Sequence, residues 1–189
     1  MLTNEQIVNE IGRCFYLAIN RESFLSKLSD SYERYYDIIE GDLDSGLPLL
    51  FFADFHARDE GYVLVKSAKI WALESNEYVY VFTAPRFTAE EAKSCLDFAL
   101  ADGEPRIKPH KEHKDSYIIA IFIADVIDAD AEKEIKRRRF DKSFKLGVEG
   151  WAGLKTAAVN LERECVTTNS VGSSLTKFFK KLLRSEKKV

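Results

Sequence analysis

In 189 residues methionine occurs once, tryptophan twice, histidine and cysteine three times each and proline four times. These scarcities already exclude whole classes of protein. Cys14, Cys95 and Cys165 are odd in number, far apart and free of any CxxC pairing, so neither a disulfide framework nor a thiolate zinc site is indicated. They are expected to be reduced thiols in or near the core. No apolar run approaches the roughly 18 to 20 residues that cross a bilayer; the longest, Tyr117 to Ala124, is strand-sized. Met1-Leu2-Thr3-Asn4-Glu5-Gln6 has neither the basic nor the apolar part of a secretory signal, and a cytoplasmic protein is expected. The phosphate loop GxxxxGK[ST], GxGxxG, HExxH and GxSxG are all missing, which argues against the commonest nucleotide enzymes, zincins and α/β-hydrolases. The sequence implies no cofactor.

What is present is ordinary globular material: 46% hydrophobic, 31% charged and 12% aromatic residues, enough for one buried core and one domain over residues 1–189. The net charge of -3 hides an asymmetry. Residues 1–129 carry 13 Lys and Arg against 23 Asp and Glu, whereas residues 130–189 carry 15 against 8. Such a split fits either a basic face for an anionic partner or two halves that neutralise each other within one fold.

Hydrophobic spacing predicts the elements. Thr3-x-x-Gln6 is a capping box before a helix carrying Ile7, Ile11, Cys14, Phe15, Ala18 and Ile19 on one face. Further helices are expected over Glu22 to Leu28 and Asp30 to Ile39, completing a helical segment to residue 40, before turn residues at 41–48. The period then changes to two. Leu49 to Arg58, a turn at Asp59-Glu60-Gly61, Tyr62 to Ala72 and Tyr78 to Thr83 read as a three-stranded antiparallel meander. Thr88-x-x-Glu91 caps a helix that stops at Asp102-Gly103, and Glu104 to Asp115 reads as a loop. Tyr117 to Ile127, apolar on both alternating faces, is expected at the centre of the sheet. A short helix from Asp128 to about Arg139 and a hairpin of Phe144 to Glu149 with Leu154 to Cys165 follow. A basic amphipathic helix over residues 173–186 closes the chain. The fold class is therefore α+β: a mixed, largely antiparallel sheet of about six strands within residues 49–167, packed by N-terminal, middle and C-terminal helices. Ile7, Ile11, Phe15, Phe51, Phe55, Ile119, Ile121, Ile123, Leu175, Phe179 and Leu182 are expected to be buried.

Two places could carry chemistry. Asp54-x-His56-x-x-Asp59 and His110-x-Glu112-His113-x-Asp115 combine imidazoles and carboxylates, but Lys108, Lys111 and Lys114 crowd the second against a cation, and no metal site is assigned. Asp54, the turn Ala57-Arg58-Asp59-Glu60-Gly61 and Val63-Leu64-Val65-Lys66-Ser67, in an order of helix, three strands, helix, strand, resemble a degenerate PD-(D/E)xK restriction-endonuclease-like family. That resemblance implies a metal-dependent nuclease or phosphodiesterase in which an Asp and a Glu hold Mg²⁺ and a Lys assists at the phosphate. Asp54 and Lys66 match two of these roles, while Leu64 stands where the pattern needs an acid; Asp59 or Glu74 is then the substitute. The plainer alternative is a cross-strand ion pair of Asp54 with Lys66 if the turn is Asp59-Glu60-Gly61; a turn of only Glu60-Gly61 puts Asp54 opposite Ser67.

The other place is the basic third of the chain. Lys133, Lys136, Arg137, Arg138 and Arg139, together with Lys177, Lys180, Lys181 and Arg184, could collect phosphates or an acidic protein partner. Phe178 and Phe179 fall within the apolar stripe of the last helix and so read as core. The reading reached from sequence is a non-catalytic interaction protein that meets a nucleic acid or acidic protein through this region, with the nuclease as the alternative of a different class.

Overall fold

The computed structural model describes residues 19–40, 46–62 and 69–186. The first expected helix, with Ile7, Ile11, Cys14 and Phe15, lies outside these residues, as does Lys66. Helix α1 (Arg21–Tyr32) begins where the Asn20 side chain accepts from Ser23 N at 3.0 Å. The two helices expected over 22–39 are one helix and a strand. After Tyr32 the chain turns, and Ile38 and Ile39 enter β1 (Asp37–Glu40), paired with Ala53 and Phe52. Leu28, Tyr32, Tyr35 and Ile39 have helical spacing, but a β-branched pair beside an open sheet edge gains more from pairing than from a marginal extra helical turn.

The expected meander is a single long hairpin of β2 (Leu49–Tyr62) and β3 (Lys69–Phe87). Asp59, Glu60 and Gly61 are strand residues opposite Leu73, Ala72 and Trp71, and Glu74 to Asn76 continue β3 instead of turning. This corrects the Asp54–Lys66 pair. Asp54 lies opposite Tyr78 in β3 and Asp37 in β1.

Helix α2 (Ala89–Gly103) follows, closed at its start by the capping box: Glu91 N donates to Thr88 Oγ1 at 3.3 Å, and Thr88 N to Glu91 Oε2 at 2.8 Å. Strand β4 (His113–Ile127) runs parallel to β3, α3 (Ala129–Arg137) crosses back, and β6 (Trp151–Asn160) runs parallel to β4. Between them the short β5 (Asp141–Ser143) pairs with the start of β6, and β7 (Cys165–Thr168) pairs with its end. Helix α4 (Leu175–Glu186) completes the chain. The sheet has seven strands in the order β1-β2-β3-β4-β6-β5, with β7 also on β6. Four of its six pairings are antiparallel and the two central ones are parallel, which makes it a mixed sheet of the α+β class.

Alternation sorts the core into two layers. Tyr80, Phe82, Ile118, Phe122 and Leu154 face α2 and α3, whereas Phe51, Val81, Ile119, Ile121, Ile123 and Val159 face α1 and α4. Both crossovers, β3–α2–β4 and β4–α3–β6, carry their helices to one face, as consecutive connections of one hand stepping in one direction require. β4, covered on both sides, is at the centre as its sequence predicts. Phe51, Ile119, Ile121, Ile123 and Phe179 are buried; Phe55, Leu175 and Leu182 are half-buried at the margin of the α1–α4 layer.

Asn169 closes the gap between β5 and β7 on the outer edge of β6. Its buried amide accepts from Thr156 N at 3.2 Å and Gly172 N at 2.7 Å, and donates to Leu154 O at 2.9 Å and Arg138 O at 3.3 Å. The side chain thus replaces a missing ladder strand and ties the end of α3 to the turn that launches α4. Gly172 is needed for this approach, since a Cβ there would lie 2.6 Å from Thr156 O.

Candidate functional site

Helix α4 has two unlike faces. Phe179 and Leu183 are buried against the sheet, while Lys177, Lys180, Lys181 and Arg184 are exposed. Their spacing of three and four residues places all four cations on one side of two helical turns. They make no ion pair among the described residues, and with Ser173 and Thr176 they line a shallow groove of about 500 Å³.

The basic run of α3 is differently placed. Helix α3 packs on the face of the sheet opposite α4, and the two helices approach only where each touches β7. Its cations are also partly used. Lys133 meets Asp130 at 2.8 Å, Arg138 pairs with Asp97 and, at 3.4 Å, with Glu134, and Arg139 donates to the carbonyls of Lys136 and Arg138. Lys136 and Arg137 remain exposed. The structure therefore brings Lys177, Lys180, Lys181 and Arg184 together and sets Lys133, Lys136, Arg137, Arg138 and Arg139 on another side.

Beside Asp54 runs a hydrogen-bonded file of side chains that begins at His56, whose Nδ1 lies 2.6 Å from Asn76 Oδ1; Asp54 Oδ1 lies 2.8 Å from His56 Nε2 but is itself buried without a hydrogen-bond partner among the described residues. Asn76 Nδ2 donates to Ser116 Oγ at 3.3 Å, Ser116 Oγ lies 2.8 Å from His113 Nε2, and His113 Nδ1 donates to the Glu149 carbonyl at 2.7 Å. The Ser116–His113 contact has the length of a nucleophile–base pair. Yet Ser116 is fully buried and His113 is 3% exposed, so no substrate reaches them and the file serves packing. Glu74, the substitute acid considered for the nuclease reading, is engaged by Arg58 and, at 2.9 Å, by His110; Arg58 also holds Glu112 at 2.7 Å. Among the described residues no three His, Cys, Asp or Glu side chains are grouped to hold a metal ion. Among the described side chains Asp54 and Glu74 are not assembled with a third acid, while the side chains of Asp59 and Lys66 lie outside the described residues.

A second surface feature is not encoded in hydrophobic periodicity. The end of α1 and the start of α4 enclose a cleft of about 250 Å³ lined by Ser31, Tyr32, Tyr35, Tyr36, Leu175 and Phe178. Tyr32 and Tyr36 are fixed by neighbours: Tyr32 packs at 4.8 Å from Tyr36 and edge-on to Phe178 at 6.2 Å, and Tyr36 donates to Glu77 Oε2 at 2.5 Å. Burial first, and the Glu77 carboxylate second, push the Tyr36 hydroxyl far above its ordinary range, so it remains a donor. Lys155 neutralises Glu77 at 2.8 Å and lies 3.7 Å over the Tyr117 ring. The run of three tyrosines within five residues was the available signal.

Sheet, paired helical layers and a cationic last helix together describe an α+β domain with an exposed cationic helix face. Residues 20–181 match a domain of unknown function, DUF8052, and the chain belongs to that family. No curated protein and no solved structure matches it. Among the described residues no helix is long and apolar enough to cross a membrane.

Proposed function

We propose that this chain is a non-catalytic binding protein of the cytoplasm, a single domain over residues 1–189, that holds a polyanion on the exposed face of α4. The observation that supports this is the contrast between its two basic helices. Lys177, Lys180, Lys181 and Arg184 are exposed, aligned and without ion-pair partners among the described residues, whereas Lys133, Arg138 and Arg139 of the other run are taken up by internal contacts. Cations left unpaired on one face are available to release counterions from a phosphate chain. The contact surface proposed here is accordingly α4 alone, and Lys136 and Arg137, exposed on the other side of the sheet, are not part of it.

The test is fluorescence anisotropy with labelled oligonucleotides of about 20 residues. Four phosphate contacts give a slope of about -2.8 in log K against log salt for a single strand, a loss of roughly 50-fold between about 50 and 200 mM salt. Lys177→Glu with Lys181→Glu should remove most of the binding. Equal affinity of that variant and the wild type, or affinity independent of salt, refutes the assignment.

A further inference from the structure

The aromatic cleft lies directly beside the cationic face. Phe178, which forms one wall, directly follows Lys177 in α4, and Lys181 lies one helical turn beyond it, so the cleft and the cationic groove are carried by neighbouring stripes of the same helix. Tyr35 stands on the α1 side of the opening. It is 72% exposed, and among the described residues its ring engages in no ring contact or hydrogen bond, unlike the buried Tyr32 and the half-buried Tyr36 behind it. A solvent-facing aromatic ring at an apolar cleft, on whose other wall α4 carries lysines that have no ion-pair partner among the described residues, joins the two chemistries that an unpaired nucleotide presents: a flat π surface and a phosphate.

We propose that the polyanion is single-stranded nucleic acid, that one base enters the cleft and stacks on Tyr35 or Phe178, and that the adjoining phosphates lie along Lys177, Lys180, Lys181 and Arg184. This rests on the reading of α4 as the polyanion face. Size supports a single base. At about 250 Å³ the cleft falls below the roughly 300 to 1,000 Å³ of pockets for drug-sized ligands, so one ring system fits while the sugar and phosphate stay outside. Charge supports the path. Beyond Tyr35 a neighbouring hollow is lined by Glu33, Asp37 and Asp54 with Arg34 as its cation, and this acidic side repels a phosphate chain and keeps it on the α4 side. A duplex keeps its bases stacked and paired, and it can use the cations but not the cleft.

Anisotropy titrations of a thymidine-only single strand and of a duplex of equal length separate the steps. Tyr35 is exposed, so Tyr35→Ala perturbs the fold little. That variant should bind the single strand roughly 5- to 150-fold more weakly, the loss of one stacked base, with the salt slope and the duplex affinity unchanged. Tyr35→Trp should restore single-strand binding. If Tyr35→Ala binds the single strand like the wild type while Lys177→Glu with Lys181→Glu loses it, the cleft is not used and the cationic face stands alone. If neither variant changes binding, both the cleft and the cationic face are refuted. Wild type that prefers duplex to single strand also overturns the base-in-cleft arrangement.

Discussion

Replacing Asn169 by alanine should cost the fold more than any surface change and far more than its small volume suggests. The side chain is 1% exposed and uses its whole hydrogen-bonding capacity, accepting from the backbone N–H groups of Thr156 and Gly172 and donating to the carbonyls of Leu154 and Arg138. Removal orphans two buried N–H groups, each worth about 1 to 3 kcal/mol, so the expected loss is about 3 kcal/mol. For a chain of this length that lowers the melting temperature by about 6 to 12 °C. Urea melts followed by circular dichroism give the free energy directly, with the slope on denaturant unchanged because the native surface is the same. Asn169→Asp sharpens the test. It keeps both acceptors but turns a carboxylate towards two carbonyls, which raises its folded pKa above the unfolded value of about 4. A raised pKa means that the aspartate variant approaches the wild type below that value and loses stability as pH climbs through the folded pKa. A loss under about 1 kcal/mol for alanine, or an aspartate variant insensitive to pH, would refute the role assigned to this side chain.

Three further outcomes follow from local geometry. Burial tends to raise the Asp102 carboxyl, but hydrogen bonds from Arg106 at 2.8 Å and Tyr80 at 2.5 Å outweigh it and hold it below its ordinary range. Its contribution is present above pH of about 4 and fades as pH falls through the depressed value, so Asp102→Asn should cost about 1 kcal/mol at pH 7 and little at pH 3, read from melts at both. Burial pushes the Cys95 thiol up to about 12, so iodoacetamide at pH 8 should label Cys165 in the native protein and Cys95 only after unfolding, as peptide mass spectrometry would resolve. Leu146 holds φ at 57° with its side chain wholly in solvent, so Leu146→Gly should stabilise by about 0.5 to 1 kcal/mol; destabilisation would mean that the side chain has a native contact.

The central elements were legible because one signal dominated each. β4 alternates Ile119, Ile121 and Ile123 with Ile118, Ala120 and Phe122, and only burial on both faces accommodates that pattern. Thr88 and Glu91 announced α2 through complementary hydrogen-bonding groups. The failures share a cause, which is that pairing energy is not written in local spacing. Asp59-Glu60-Gly61 has turn composition, yet eleven consecutive pairings across β2 and β3, from Phe51 to Gly61, hold it in an extended strand. Ile38 and Ile39 fit a helical stripe until the edge of β2 becomes available to them. The cationic residues were found by composition alone, but their separation onto opposite faces depends on which way α3 and α4 cross the sheet, and Tyr35 was absorbed into a helix that stops three residues before it.

A polyanion face on a chain of net charge -3 makes a demand on ionic strength that can be checked. Lys177 to Arg184 span about 10 Å along α4, at 1.5 Å per residue. At about 0.15 M salt the screening length is about 8 Å, so a phosphate on this face feels the four cations, with Glu164 beside Lys180 and Arg184, and little of the more distant acids. At about 0.01 M the length grows to about 30 Å, and the excess of carboxylates elsewhere in the chain reaches the same phosphate. Affinity should therefore rise steeply as salt is lowered through the range near 0.1 M and flatten towards 0.01 M, giving a bent plot of log K against log salt. Acidic residues are concentrated before position 130, so neutralising Glu33 and Asp37 beside the cleft, as Glu33→Gln with Asp37→Asn, should straighten the low-salt limb while leaving the slope near 0.1 M unchanged. A plot that is linear to about 0.01 M in the wild type would mean that the bound phosphates are shielded from the rest of the protein, and the local-field account of how an acidic chain holds an anion would fail.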